Sequence, residues 1–209
     1  MKTSKLSREN YLIQATEIMR KSLFKPKGYK VPKVELSISW ATRGNRNRKG
    51  DAKTLGQCFP KHMHAGGINQ IVITPNYDGS TIEGSIDILG TLVHELVHAV
   101  DNCVSGHGQA FKNCALAVGL LPPMRSTPES EELREWLRKN ILDKLGKFPH
   151  KKVTLNGTKK QTTRNIKVTC DCCEFSFRTS RKNLELMHEQ ADYTNWNCLA
   201  CSEGTLHEA

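Results

Sequence analysis

Residues 94–98 read His94-Glu95-Leu96-Val97-His98, and His107 follows nine residues after His98 between Gly106 and Gly108. Three imidazoles and one carboxylate at this spacing are the groups a zinc hydrolase uses. On a helix, positions four apart share a face, so His94 and His98 can turn ring nitrogens to one ion. Glu95 is rotated by about 100° from His94. It stands beside the ion rather than on it, where a base for the attacking water belongs. A catalytic zinc takes three protein ligands and leaves one position open. His107 is the candidate for the third. Glycines on both sides of it predict a sharp reversal after a helix that ends near Val104 or Ser105.

The elements that must position these groups can be read around them. Ile86, Leu89, Val93, Leu96, Val97, Val100 and Val104 recur at three- and four-residue steps, the pattern of a core helix. Ser80 with Glu83 forms a candidate capping box at its start, and Ser85 a competing cap. A second helix is expected over 109–120, with Phe111, Ala115, Val118 and Leu120 as apolar positions. Upstream, residues 7–24 read as a helix capped by Ser7, with Tyr11, Leu12, Ala15, Ile18, Met19 and Leu23 as its apolar face. Residues 34–40 alternate as a strand, and 57–59 and 69–74 read as further short strands. The last of these is expected to be an exposed edge that can pair with an extended peptide. Thr127-Pro128 is the expected start of a helix over 128–145. The sum is an α+β chain with a small mixed or antiparallel sheet.

The C-terminal segment carries a second metal signal. Cys170 and Cys173, then Cys198 and Cys201, form two C-x2-C pairs. Each pair makes a tight knuckle, and four thiolates close a tetrahedral shell, so a structural zinc is expected. Cys172 offers a competing thiol. A segment of about 45 residues has too small a core to fold unaided, and a metal is its natural staple. A short helix over 181–188 fills the interval, and Arg178, Arg181, Lys182, Tyr193 and Trp196 are candidate phosphate and base contacts.

The run from Ile88 to Leu120, ILGTLVHELVHAVDNCVSGHGQAFKNCALAVGL, resembles the SprT-like metalloprotease family, to which Spartan belongs. The interval between His98 and His107 is longer than the metzincin spacing, and the third ligand is not a distant Glu as in other zincins. Leu55-Gly56-Gln57-Cys58 and Ile71-Val72-Ile73-Thr74-Pro75 are similar to the family's strands ahead of the active helix. The resemblance covers roughly residues 9–122, and a C-terminal zinc ribbon extends it. It implies a zincin-like fold, zinc ligands at His94, His98 and His107, a catalytic Glu95, and protein substrates bound or crosslinked to DNA. The expected organisation is a protease domain over 1–145, a basic linker over 146–165 and a zinc ribbon over 166–209.

Charge is distributed unevenly. The chain of 209 residues has a formal net charge of +10. By segment, residues 1–50 hold +10, 51–145 hold −3, 146–165 hold +6 and 166–209 hold −3. Arg43, Arg46, Arg48 and Lys49 in one loop, and Lys151, Lys152, Lys159 and Lys160 in the linker, are the candidate nucleic-acid contacts, because neutralising phosphates releases counterions. The duplex or single-stranded form of DNA stays open. No run of eighteen apolar residues occurs, so no membrane span is expected. The N-terminus MKTSKLSREN has neither an apolar stretch nor a cleavage site. A reducing compartment, cytoplasm or nucleus, is expected, and there eight cysteines point to metal or free thiols rather than disulfides. A monomer is expected.

Lesser candidates are His62 and His64, a loop pair, and Asp101, placed to accept a hydrogen bond from a ligand histidine. Cys58, Cys103 and Cys114 read as ordinary buried thiols. Two functions follow. The first is a zinc-dependent endopeptidase acting on DNA-associated proteins. The alternative is a zinc-containing nucleic-acid binding or regulatory protein with little proteolysis. The intact Glu95 favours the first.

Overall fold

The computed structural model describes residues 1–41, 54–153, 165–190, 197–198 and 200–208. The loop with Arg43, Arg46, Arg48 and Lys49 lies outside them, as do Lys159, Lys160, Tyr193 and Trp196. The chain divides into two compact units, Met1–Leu155 and Asn156–Ala209. Each is a mixture of helix and small sheet. Among the described residues no helix is long and apolar enough to cross a membrane.

The first unit opens with α1 (Arg8–Met19), whose first turn is capped by Ser7: its side chain accepts the Asn10 N–H. Arg20–Phe24 continue the helix as a wider π turn. Strand β1 (Val34–Ile38), β2 (Gly56–Phe59) and β3 (Asn69–Ile73) form a mixed sheet in the order β1-β3-β2. β1 runs parallel and β2 antiparallel to β3. β3 is therefore central, and β2 is an edge. This corrects the expectation that 69–74 would be the exposed edge. Ile71, Val72 and Ile73 are all buried, which is why the segment lacks the alternation of a half-exposed strand.

Helix α2 (Ile82–Val100) crosses this sheet through the core, burying Ile86, Ile88, Leu89, Leu92, Val93, Leu96 and Val97. Its N-cap is Thr81, whose hydroxyl accepts the Gly84 N–H at 2.9 Å. Neither Ser80 nor Ser85 serves. Ser80 instead donates to Asp78, and Ser85 Oγ donates to the Gly79 and Thr81 carbonyls. α3 (Gln109–Ala117) follows, then α4 (Glu131–Leu137), a π turn over Arg138–Leu142 and α5 (Asp143–Leu145). The helix expected from Pro128 begins at Glu131, because Ser130 caps it by accepting the Leu133 N–H. Thr127 is thereby freed for another partner.

Residues 146–153 read as the start of a linker, yet they pack on this unit. Phe148 is fully buried and its ring meets Tyr11 edge-on at 5.1 Å. The Phe148 N–H donates to Ser85 Oγ at 3.0 Å. His150 is buried with Nε2 3.1 Å from the Pro75 carbonyl, and the Val153 N–H donates to the same oxygen. A basic composition hid these few anchoring groups; Lys151 and Lys152 between them are exposed.

In the second unit β4 (Ile166–Cys170), β5 (Ser176–Thr179) and β6 (Leu206–Glu208) form an antiparallel sheet in the order β5-β4-β6. Helix α6 (Arg181–Gln190) lies in the chain between β5 and β6. Its core is small: Val168, Leu184 and Leu206 gather with Cys170 and Cys198.

Candidate metal centres

α2 carries His94, Glu95 and His98 over its last two turns. The helix stops at Val100, earlier than the expected end near Val104, with Asp101 as C-cap. The reversal uses Asn102 (φ 56°) and Cys103 (φ 63°), both left-handed, and then Gly106 (φ 53°). A left-handed non-glycine residue costs on the order of 1 kcal/mol, so surrounding bonds must hold this turn. They do: the Cys103 N–H donates to the His98 carbonyl at 2.7 Å. Asn102 Oδ1 accepts the Lys61 N–H at 2.8 Å and Asn69 Nδ2–H at 3.0 Å. Gly108 has an ordinary φ of −72° and serves as the N-cap of α3.

The turn returns His107 to α2. One ligand atom from each of His94, His98 and His107 lies within 4.8 Å of the others. His94 Nε2 and His107 Nε2 are 3.3 Å apart. Nitrogens bound to one tetrahedral ion at about 2.0–2.1 Å are about 3.4 Å apart, so the pair is spaced as co-ligands. Phe111, in the first turn of α3, contacts all three rings at centroid distances of 4.9, 4.5 and 4.9 Å. It is 2% exposed and forms the apolar floor of the cluster.

Burial sets the charge state of these groups. It pushes His94 down to about 3, helped by His98 and His107. It lowers His98 to about 4, with His107 adding to the effect and Asp101 opposing it. His107 is lowered by burial and by the Arg125 cation. All three are neutral at pH 7, the form in which an imidazole ligates metal. Glu95 moves the other way. It is 5% exposed, and burial pushes its carboxyl up to about 8, with the Cys58 N–H opposing. A carboxyl poised near neutrality suits proton transfer.

β2 forms the wall over Glu95. A Cβ on Gly56 would lie 2.7 Å from Glu95 Oε1 and 2.8 Å from Thr91 Cγ2. Only glycine lets the strand pass this close. On another side lies the segment after α3, where the Leu121 N–H donates to the Pro128 carbonyl at 2.8 Å. It brings Thr127 Oγ1 to 2.8 Å from His94 Nδ1. Thr127, Phe111 and Arg125 are the neighbours that sequence reasoning missed. Thr127 was concealed by the helix-start reading of Thr-Pro, and Phe111 by its reading as a plain core residue.

Asp101 takes a different place from the expected one. Its Oδ2 accepts the Ser105 N–H at 3.1 Å and the Ser105 hydroxyl, stiffening the turn. Its Oδ1 is buried without a partner among the described residues. His64 Nε2 sits 2.8 Å from Glu35 Oε2, and neither His62 nor His64 joins a metal-ligating group among the described residues.

The second unit brings Cys170, Cys173, Cys198 and Cys201 together. Cys170 and Cys201 sulfurs are 3.8 Å apart and Cys173 and Cys198 sulfurs 3.6 Å. Thiolates on one tetrahedral ion with bonds of about 2.3 Å are about 3.8 Å apart. Backbone N–H groups of Cys172 and Cys173 point to Cys170 Sγ, and those of Ala200 and Gly204 to Cys198 Sγ and Cys201 Sγ, at 3.3–3.4 Å. The N–H groups of Glu203 and Gly204 hold the Cys201 thiol down, to about 6. A side chain at Gly204 would collide with Cys170 Sγ and Cys172 Cβ. Cys172 is exposed and outside the set of four. Two groups able to hold a metal ion are thus present, one of three histidines and one of four cysteines. Of the other expected contacts, Arg181 is paired with Glu208 at 2.8 Å and Arg178 donates to the Asn165 carbonyl.

Compared with models of protein families, with curated proteins and with solved structures, the chain gives no match.

Proposed function

We propose that this chain is a zinc-dependent endopeptidase of the SprT-like type, with a zincin-like first unit and a zinc ribbon, acting on proteins associated with or crosslinked to DNA. The observation that carries the reading is the convergence of three neutral imidazoles beside a buried carboxyl. Nitrogen donors from three histidines suit zinc with an open position, and four thiolates suit a closed structural zinc. Zinc held by His94, His98 and His107 supplies a Lewis acid that polarises a carbonyl and acidifies water. Glu95 takes the proton of the attacking water and hands it to the leaving amine. The Cys58 N–H and the bare Gly56 backbone hold Glu95 in place for both transfers. β2, an edge of its sheet, offers an extended peptide a strand to pair with. Backbone pairing of this kind tolerates many sequences. The DNA part of the reading rests on the basic segments, of which Lys151 and Lys152 are exposed on the first unit.

The test is to incubate the zinc-loaded full chain with a DNA-binding protein, with and without single-stranded DNA, beside a Glu95→Gln control. Cleavage by the native chain, enhanced by DNA and reduced by roughly 10² or more in the control, is expected. DNA binding with no cleavage by the loaded chain would favour a binding or regulatory protein instead.

A further inference from the structure

Two half-buried thiols, Cys58 and Cys103, meet beside Glu95 without belonging to either metal-ligating group. Cys58 lies in β2, on the same side of the strand as Gly56 by the two-residue period. Cys103 lies in the left-handed turn after α2. The Cys103 thiol donates to the Cys58 carbonyl oxygen at 3.6 Å, and the Cys58 thiol donates to the Phe59 carbonyl at 3.9 Å. Val104, next to Cys103, is 83% exposed, so a small solute reaches this turn from solvent.

Both partners are seated against the catalytic carboxyl. The Cys58 N–H donates to Glu95. At Gly56, two residues away, even a Cβ would meet Glu95 Oε1 at 2.7 Å and Thr91 Cγ2 at 2.8 Å, so the strand runs close against the carboxyl. The turn is fixed to the same strand end by Asn102, which accepts the Lys61 N–H. A change in the Cys58–Cys103 contact is therefore passed to Glu95 through the β2 backbone.

We propose that Cys58 and Cys103 are a reversible oxidation site, closed to a disulfide by a hydroperoxide, which fastens β2 to the turn after α2 and draws the Cys58 amide away from Glu95. The Cys103 thiolate attacks one peroxide oxygen. The O–O bond breaks, the departing oxygen leaves after protonation as water from hydrogen peroxide or as an alcohol from an organic hydroperoxide, and Cys103 becomes a sulfenic acid. The Cys58 thiolate then attacks that sulfur, the S–O bond breaks and water leaves. Two thiols lose two electrons and the peroxide gains them. A covalent S–S bond of about 2.05 Å is much shorter than the 3.6 Å at which Cys103 Sγ meets the Cys58 carbonyl, so closure pulls Cys58 toward the turn. A thiol-disulfide exchange reagent reopens the pair. The loss of activity rests on the peptidase reading above; the disulfide does not.

The experiment treats the zinc-loaded, reduced full chain with hydrogen peroxide, alkylates the remaining thiols, and maps the digest by mass spectrometry without reductant. The expected result is a crosslinked peptide pair joining Cys58 to Cys103, lighter by two hydrogens, absent from Cys58→Ser and Cys103→Ser and lost with dithiothreitol. Hydrogen exchange on the β2 amides is expected to change only in the crosslinked form. Where the reduced chain cleaves protein, oxidation is expected to cause a loss of cleavage that dithiothreitol reverses and that Cys103→Ser escapes. Separate alkylation of both thiols after peroxide, crosslinks through other cysteines only, or a Cys58–Cys103 link that leaves β2 exchange unchanged would each overturn the proposal. A reduced chain with no cleavage, yet with the crosslink and the exchange change, would sink the peptidase reading and leave this one standing.

Discussion

Thr127 Oγ1 lies 2.8 Å from His94 Nδ1, while His94 Nε2 faces His107 Nε2 at 3.3 Å. The two ring nitrogens thus have separate duties. With Nε2 turned to an ion, Nδ1 carries the proton and donates it to the Thr127 hydroxyl, fixing tautomer and ring orientation. Thr127→Ala is expected to weaken zinc binding at the histidine site by roughly 10–100-fold, and Thr127→Ser to retain it. Competition against a chromophoric chelator measures this. Equal affinities for all three proteins would show that the hydroxyl orients nothing.

Glu95 gives a pH signature in the metal-free chain. Burial pushes it up to about 8, whereas an unfolded Glu titrates near about 4.3. Between those values the folded state binds more protons, so stability is highest below the unfolded value and falls as pH rises through the folded one. Glu95→Gln removes that slope and is expected to stabilise the metal-free fold at pH 8 by on the order of a few kcal/mol. His94 and His98 are lowered to about 3 and about 4, so their effect is opposite and falls on the acid side. Urea unfolding of both proteins from pH 5 to 9, with chelator present, isolates the difference. Parallel stability curves would mean that Glu95 ionises freely in the metal-free fold.

Gly56→Ala probes the wall over that carboxyl. The new methyl would lie 2.7 Å from Glu95 Oε1, so either β2 or Glu95 must shift. A displacement of this kind at a catalytic group costs on the order of 10²-fold in rate. On the peptidase reading, activity is expected to fall by that scale while metal content holds, because the atoms nearest the new methyl belong to Glu95 and Thr91. Kinetics and metal analysis on one preparation decide it, and full activity would place Glu95 free of the strand.

His94, Glu95 and His98 were legible because helical spacing alone puts them on neighbouring faces of α2. His107 was legible because Gly106 supplies a left-handed turn (φ 53°). The four cysteines were legible because C-x2-C is a local geometry. Thr127 was not, because its tie to His94 spans 33 positions and Ser130, three residues on, was free to take the cap. Phe148 was not, because one aromatic in a basic stretch gives no periodicity. Its partners Tyr11 and Ser85 come from two distant helices. The central place of β3 is not legible in its sequence, because strand order is a long-range fact that a single apolar run does not carry.

The two metal groups belong to separate compact units, so they should load independently. Two zinc ions per chain are expected, and replacing Cys198 and Cys201 with Ser should remove one while the histidine site keeps its ion. The small core around Val168 and Leu184 cannot hold the second unit together without the metal. Its amides should therefore exchange freely in the double variant. A native chain holding one zinc, unchanged by the two substitutions, would sink the ribbon assignment.

The DNA contacts are tested through salt. Arg43, Arg46, Arg48 and Lys49, with Lys151 and Lys152, concentrate positive charge while the 51–145 and 166–209 segments are each net −3. If these side chains neutralise phosphates, binding is sequence-tolerant, and log affinity falls linearly with log salt at a slope of about −0.7 to −0.9 per phosphate contact. Changing Arg43, Arg46, Arg48 and Lys49 to Ala is expected to flatten the slope by roughly three to four contacts' worth. The histidine zinc should stay in place, since arginine and lysine are not zinc ligands. Any DNA-stimulated cleavage should drop more than DNA-independent cleavage. Affinities for single-stranded and duplex DNA at several salt concentrations, for both proteins, give the slopes. An identical slope in the variant, or no binding of either form at low salt, would reduce the basic loop to solvated surface and remove the electrostatic support for a DNA-directed protease.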